Sequence, residues 1–272
     1  MKRLLTAAVG VPLAVAAVFH LPPGGFFLLV LILIELGVLE FIRLTGRWAP
    51  ARTTSALLLI VPAVAVVLAL PAERWPQVPA PGLLLALAAA VGLGSLVLAT
   101  RAPVGQSVGA LGVLCFGVPY FALPVATLSL LQRHDPWVLL LLLAIVWLGD
   151  SAAYYCGRAW GRRKLAPVVS PNKTWEGAAA SLIAALAAAA VWSWWRLGAM
   201  DGRLLALAAV ASVAGQVGDL VESMIKRGAG VKDSGHFFPG HGGVLDRMDA
   251  LLFAAPVMWL GVALVGDPLL RP

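Results

Sequence analysis

Charged residues are scarce in this sequence: they make up only 12% of its 272 residues, about half the share found in a soluble globular domain. Cysteine and histidine are scarce as well, with two and four residues, and they form no CxxC pair or Cys/His cluster. The sequence therefore does not fit a disulfide scaffold or a structural zinc site. Apolar residues make up 61%, more than a globule of this size can bury. These proportions exclude a soluble enzyme and a disordered chain, and they predict a polytopic membrane protein.

Nine apolar runs are long enough to cross a bilayer, which takes roughly 20 residues of helix. Turn residues such as Asp135-Pro136 and Asp201-Gly202 separate them. The sequence thus predicts an all-α polytopic membrane protein with about nine transmembrane helices. The first run also resembles a signal peptide, but we expect it to be retained as a helix. The predicted spans lie near residues 4–20, 26–42, 54–70, 82–99, 108–131, 137–156, 177–196, 203–224 and 249–266.

Basic residues are distributed unevenly between the two sides of this predicted bundle. With the N-terminus in the cytoplasm, fifteen of the twenty lysines and arginines fall in cytoplasmic segments and five fall outside. Because positively charged loops face the cytoplasm, we expect a cytoplasmic N-terminus and a C-terminus outside. The net charge of +7 then reflects contact with anionic membrane lipids, and we expect no nucleic-acid partner.

The two halves of the chain differ in their polar residues, although we expect a single integral membrane unit. Residues 1–136 are chemically quiet and are interpreted as a scaffold for lipid access and dimer contacts; Glu35 and Glu40 are their only carboxylates before residue 73. Glu35 is expected to lie near a helix end and to pair with Arg43, the alternative being a functional role in the membrane. Residues 137–272 are predicted to be the catalytic region, because two cytoplasmic loops there concentrate charge, glycine and proline. The first polar loop runs from Gly149 to Gly177 and the second from Gly218 to Asp249.

Acidic residues in the second of these loops recur at helical spacing. Asp219 and Glu222 are three residues apart and share a helix face, which Lys226 extends. Asp246 and Asp249 have the same spacing at the start of the ninth span. Carboxylates without cysteine suit a hard cation such as Mg²⁺, while the neighbouring basic residues and glycines suit phosphate. Ordinary salt bridges are the alternative, but idle charges are costly in apolar spans.

A long polar pattern stands between Ser223 and Asp249: Ser-x-apolar-Lys-Arg, Lys-Asp-x-Gly, Pro-Gly-His-Gly-Gly and Asp-Arg-apolar-Asp. It closely resembles the signature of the phosphatidate cytidylyltransferases, also called CDP-diacylglycerol synthases. Gly218-Asp219-Leu220 and the segment from Ser170 to Gly177 are similar to the family as well, although Asn172 stands where a basic residue is common. The resemblance covers residues 149–249, and the N-terminal spans match in length and apolar character only.

The resemblance implies a nucleotidyltransferase of phospholipid biosynthesis that makes CDP-diacylglycerol and pyrophosphate from CTP and phosphatidate. It further implies a multi-pass protein of the inner membrane with its site facing the cytoplasm, Mg²⁺ with a second, monovalent cation such as K⁺, and a homodimer. The implied metal ligands are Asp219, Asp246 and Asp249. The implied catalytic residues are these three with Lys173, Lys226 and Arg247. The implied substrate-binding residues are Asp150, Ser170, Asn172, Thr174, Glu222, Ser223, Arg227, Lys232, Asp233, His241, Gly242 and Gly243.

Two other functions fit parts of the pattern. A secondary transporter also has intramembrane carboxylates and glycine-broken helices, but here the polar groups gather on one side and the halves show no repeat. A CTP-dependent lipid kinase, such as a polyprenol kinase, would share CTP and Mg²⁺ but release CDP.

His241 is the obvious candidate for a general base. Because a phosphomonoester has a second pKa of about 6, phosphatidate is largely ionised at pH 7, and we expect no base to be required.

Overall fold

Helices form nearly all of the described part of the chain. The structure is a computed structural model that describes residues 2–70, 92–100, 102–235 and 242–265, the side chains of residues 2–8 and 265 excepted. The helices of the N-terminal half are α1 (Lys2–His20), α2 (Pro23–Thr45), α3 (Ala51–Thr54), α4 (Leu57–Ala69), α5 (residues 92–99) and α6 (Val104–His134). Those of the C-terminal half are α7 (Pro136–Trp160), α8 (Trp175–Leu197), α9 (Gly202–Ala229) and α10 (Leu245–Val265).

Seven helical stretches within these ranges are long and apolar enough to cross a membrane: α2, α3 with α4, and α6 to α10. They confirm the prediction of a helical polytopic membrane protein and account for seven of the nine predicted spans. The predicted span at residues 4–20 coincides with α1, in which Val9–His20 is a shorter apolar helix. The predicted span at 82–99 lies largely outside the described residues.

A small antiparallel hairpin interrupts the helical architecture between α7 and α8. It consists of β1 (Lys164–Ala166) and β2 (Ser170–Thr174), with Lys164 opposite Thr174 and Ala166 opposite Ser170. The sequence predicts only a loop here. The hairpin gives the first polar loop a defined shape and brings β2 towards α9.

Two helices begin at residues that the sequence marks as breaks. The side chain of Asp135 accepts a hydrogen bond from the first turn of α7, and Asp201 does the same for α9. Such side chains satisfy N–H groups that have no partner inside the helix. At the other ends, Gly198 after α8 and Gly230 after α9 adopt positive φ angles of 69° and 79°, the left-handed conformation that favours glycine.

The C-terminal helices pack as two close pairs, α7 with α8 and α9 with α10. Small residues make this possible: a Cβ atom on Gly149 would collide with the Ser181 hydroxyl, and one on Gly218 would collide with the Asp249 carbonyl. Close approach through small residues is typical of helices packed in lipid. α10 also packs on α2 and α6, so the N-terminal half supports the helix that carries part of the polar signature.

The polar residues of the signature gather at one end of this bundle. There the Arg47 guanidinium donates to the Gly228 carbonyl over 2.5 Å, which holds the end of α2 beside the end of α9. At the opposite end Arg196 pairs with Asp135 over 3.5 Å. We call the end of the helix bundle that carries Arg47 the site end.

Candidate active site

Three carboxylates from two helices converge at the site end. Asp219 and Glu222 lie on α9 and Asp249 lies on α10, and one oxygen of each lies within 4.8 Å of the others. The contact of Gly218 with the α10 backbone brings the two helices this close. The predicted shared face of Asp219 and Glu222 is therefore confirmed, and α10 adds the third carboxylate. We call Asp219, Glu222 and Asp249 the carboxylate cluster.

The carboxylate cluster has the features of a cation site. Glu222 is fully buried, and its Oε1 atom has no hydrogen-bond partner among the described residues. Buried negative charges are costly unless a positive charge compensates them. Oxygen donors from several carboxylates are the ligands that hard divalent cations prefer. The donor set thus fits such an ion.

Lys226 links the carboxylate cluster to the start of α10. Its buried ammonium group pairs with Glu222 one turn earlier on α9 and with Asp246 Oδ1, the latter over 2.5 Å. The second Asp246 oxygen accepts hydrogen bonds from Ser234 N at 3.0 Å, Ser234 Oγ at 2.8 Å and Gly243 N at 2.7 Å. We call the segment between α9 and α10 the signature loop. Asp246 therefore links both flanks of the signature loop to Lys226, and it is not a member of the carboxylate cluster.

Lys173 joins the first polar loop to the second. It projects from β2, and its Nζ lies 2.6 Å from Asp219 Oδ2. A cavity of about 690 Å³ opens beside this pair. Basic and acidic side chains from α7, the hairpin and α9 line the cavity. Its polar lining includes Asp150, Arg158, Lys164, Asn172, Lys173 and Asp219.

The sequence is similar to known proteins along nearly its whole length. The sequence pattern of the Cytidylyltransferase family matches residues 1–265. The chain belongs to this family. The phosphatidate cytidylyltransferase of Pseudomonas aeruginosa is 38% identical over 267 residues, which cover 94% of each chain. Those of Brucella suis biovar 1 and Haemophilus influenzae are 44% identical over 157 residues and 48% identical over 132 residues. The matched part is 56% of this chain and 57% of the Brucella protein, and 45% and 46% for Haemophilus.

Three further residues that the family resemblance implied lie at the site end of the helix bundle. Thr174 is buried and caps α8 by accepting a hydrogen bond from Gly177 N, so its hydroxyl already has a structural partner. Arg227 donates to the Val169 and Val231 carbonyls and ties the hairpin to the end of α9. The Ser223 hydroxyl stands 3.5 Å from Asp219 Oδ1.

For five other residues that the family resemblance implied, the structure shows exposure or local contacts. Ser170 is half-buried, Lys232 and Arg247 are exposed, and Asp233 lines a second cavity of about 610 Å³ between α2 and the end of α9. Gly242 has a φ angle of 78°, and a Cβ atom there would collide with Asp246 Oδ2, so glycine is required for the turn itself. His241 lies outside the described residues.

One residue of the N-terminal half reaches the site end, although the sequence pattern predicts no function for it. Glu40 of α2 is buried and accepts hydrogen bonds from Val244 N and Leu245 N at the start of α10. An ionisable residue within an apolar run can indicate a functional position. Glu40 and Glu35 both fit this pattern, but only Glu35 was considered for such a role. The expected pair of Glu35 with Arg43 is wrong: it is not formed among the described residues, and Glu35 Oε1 has no hydrogen-bond partner there. Eight residues of helix rise about 12 Å, too far for one ion pair.

Proposed function

We propose that the chain is an integral membrane nucleotidyltransferase that makes CDP-diacylglycerol and pyrophosphate from CTP and phosphatidate. The observation that carries this proposal is the carboxylate cluster, with Lys173 and Lys226 at hydrogen-bonding distance, at one end of a bundle of membrane helices. A water-soluble nucleotide and a lipid phosphate can meet at such an end. Membership of the Cytidylyltransferase family and the relatives named phosphatidate cytidylyltransferase support the same reaction.

The proposed reaction joins an oxygen of the phosphatidate phosphate to the α-phosphorus of CTP. The bond from that phosphorus to the bridging oxygen breaks, and pyrophosphate leaves with the electron pair. Because the attacking oxygen is already largely ionised at pH 7, no side chain has to remove a proton from it. The main barrier is the approach of two anions, which basic side chains relieve. We assign this role to Lys173, Lys226 and Arg247.

Asp219, Glu222 and Asp249 are the residues that we propose to hold Mg²⁺. When bound, the ion supplies charge neutralisation for the triphosphate and for the leaving pyrophosphate. Asp246 stays a proposed ligand, although Lys226 and the loop already occupy its oxygens. A monovalent cation such as K⁺ beside Mg²⁺, and a homodimer, are further proposals that rest on the family resemblance.

We also propose that the site end faces the cytoplasm of a bacterial cell, in a chain of nine transmembrane helices with its N-terminus inside and its C-terminus outside. Basic side chains are concentrated at the site end, as expected for a cytoplasmic face. Single cysteines placed near residues 165 and 232 should resist an impermeant thiol reagent in intact cells and react after permeabilisation. A cysteine near residue 270 should react in intact cells. Labelling of residue 232 from outside would refute both the orientation and the cytoplasmic site.

The reaction itself is tested with the purified protein, CTP, Mg²⁺ and phosphatidate. We expect a liponucleotide and pyrophosphate, and no product when a chelator removes the divalent cation. Diacylglycerol in place of phosphatidate is the matched control, because it lacks the attacking phosphate. Phosphorylation of a lipid alcohol with release of CDP would indicate the kinase alternative. Solute uptake by proteoliposomes without nucleotide would indicate a transporter.

A further inference from the structure

Glu40 connects the N-terminal half of the chain to the start of α10. Its Oε1 accepts a hydrogen bond from Val244 N at 3.0 Å, and its Oε2 accepts one from Leu245 N at 2.9 Å. Oε2 also lies 2.8 Å from the Ser234 hydroxyl. These partners are 194 to 205 residues away in the sequence, and they belong to the two flanks of the signature loop.

The contacts of Glu40 are those of a helix cap supplied by another helix. The first N–H groups of a helix have no partner within it, and the partial positive charge at this end favours a carboxylate. Val244 immediately precedes α10, and Leu245 is its first residue. The Glu40 carboxylate therefore fixes the start of α10 against α2.

The residues that follow on α10 are those of the proposed site. Asp246 holds Lys226, and Asp249, one turn further on, completes the carboxylate cluster. Ser234 stands 2.8 Å from both Glu40 Oε2 and Asp246 Oδ2, so the two carboxyl groups share one anchor in the loop. A shift of α10 would move Asp246 and Asp249 together relative to α9.

Two glycines of the signature provide the space for this carboxylate. A Cβ atom on Gly235 would collide with Glu40 Oε1, and one on Gly243 would collide with Glu40 Oε2 and the Ser234 hydroxyl. The nearest atoms to the Gly235 position all belong to Glu40. Gly235 thus leaves the space that the Glu40 carboxylate of α2 occupies.

We propose that Glu40 is a positioning residue for the nucleotidyl transfer: it sets the place of Asp246 and Asp249 without contacting either substrate. The role of Glu40 in catalysis rests on the proposed function, because its kinetic test measures nucleotidyl transfer. Its structural part, the dependence of Gly235 on Glu40, is independent of that function.

The kinetic test compares Glu40→Gln with Glu35→Gln. Glutamine has the size of glutamate, but its amide group would face a backbone N–H, donor against donor, at one of the two α10 contacts. We expect Glu40→Gln to lower kcat by about 10- to 100-fold, the scale of an ångström-sized misplacement, with little change in the KM for CTP and with a loss of folded protein too small to account for the loss of kcat. Glu35→Gln, on the same helix but without a hydrogen-bonded partner at Oε1, should keep its activity.

The expected split between kcat and KM separates positioning from general support of the fold. If Glu40→Gln retains the kcat of the unmodified protein, Glu40 does not position the site. If its activity falls only in proportion to the folded fraction, Glu40 is a structural residue and the proposal is also refuted. An unmodified protein without cytidylyl transfer would refute the proposed function instead.

A double-mutant cycle tests the contact without any assay of activity. Gly235→Ala should lower the thermal unfolding temperature, and Glu40→Asp, which withdraws the carboxylate by one methylene, should relieve part of that loss. Residues in contact give such non-additive effects. Additive changes in unfolding temperature for Gly235→Ala and Glu40→Asp would show that the carboxylate does not restrict residue 235, and would overturn the inference.

Discussion

Replacement of Asp219 by asparagine is expected to lower kcat by at least ~10²-fold, the scale seen when one preorganised electrostatic group is removed from an active site. The substitution keeps the size of the side chain but removes a charge that does two things. Asp219 contributes an oxygen to the carboxylate cluster, and it pairs with Lys173 over 2.6 Å. We therefore expect loss of the charge to weaken binding of the proposed cation and to release Lys173 at the same time.

The same helix offers a matched control for this substitution. Asp201 caps the opposite end of α9 through hydrogen bonds to Arg203 N and Leu204 N. Asparagine is as good a helix cap as aspartate, so Asp201→Asn should retain activity and stability. Asp219→Glu, which keeps the charge, should retain more activity than Asp219→Asn. Near-normal turnover of correctly inserted Asp219→Asn would mean that Asp219 is neither a cation ligand nor needed to place Lys173.

The second large effect is expected for Asp246→Asn, again at least ~10²-fold in kcat. One Asp246 oxygen faces the Lys226 ammonium, and the other accepts from Ser234 and Gly243. An asparagine must turn its amide NH₂ group towards one of these donors. The substitution thus removes the Asp246 acceptor either from Lys226, which keeps only Glu222, or from the signature loop.

Comparison with His241→Gln makes this second prediction specific. Glutamine retains hydrogen-bonding ability but cannot act as a base at neutral pH. Because the phosphatidate oxygen is already ionised, we expect His241→Gln to lose much less activity than Asp246→Asn, and we expect no recovery when the pH is raised. If His241→Gln binds CTP and divalent cation normally but is as inactive as Asp246→Asn, His241 takes part in proton transfer and the base-free mechanism is wrong.

Local patterns in the sequence were sufficient to predict features that depend on neighbouring residues. Apolar length predicted seven of the membrane helices, and the breaks at Asp135 and Asp201 proved to be helix caps. The three-residue spacing of Asp219 and Glu222 predicted their common face. These features follow from helix geometry, which depends only on residues that are close together in the sequence.

Features that depend on packing between distant segments were not predictable in this way. Asp246 and Asp249 share a spacing, but Asp246 lies in the first turn of α10 and is held by loop N–H groups, whereas Asp249 faces α9. Glu40 reaches its partners only through the packing of α2 on α10. Neither relation has a periodic signal, because it arises from the close approach of helices far apart in the chain.

The most direct test of the proposed reaction is the fate of two labels in CTP. In parallel reactions with phosphatidate and Mg²⁺, CTP carries a radioactive phosphate at the α position or at the γ position. Cytidylyl transfer predicts that the α label enters the lipid product and that the γ label is released in pyrophosphate. Appearance of the γ label in the lipid, with the α label left in CDP, would contradict the account and identify a lipid kinase.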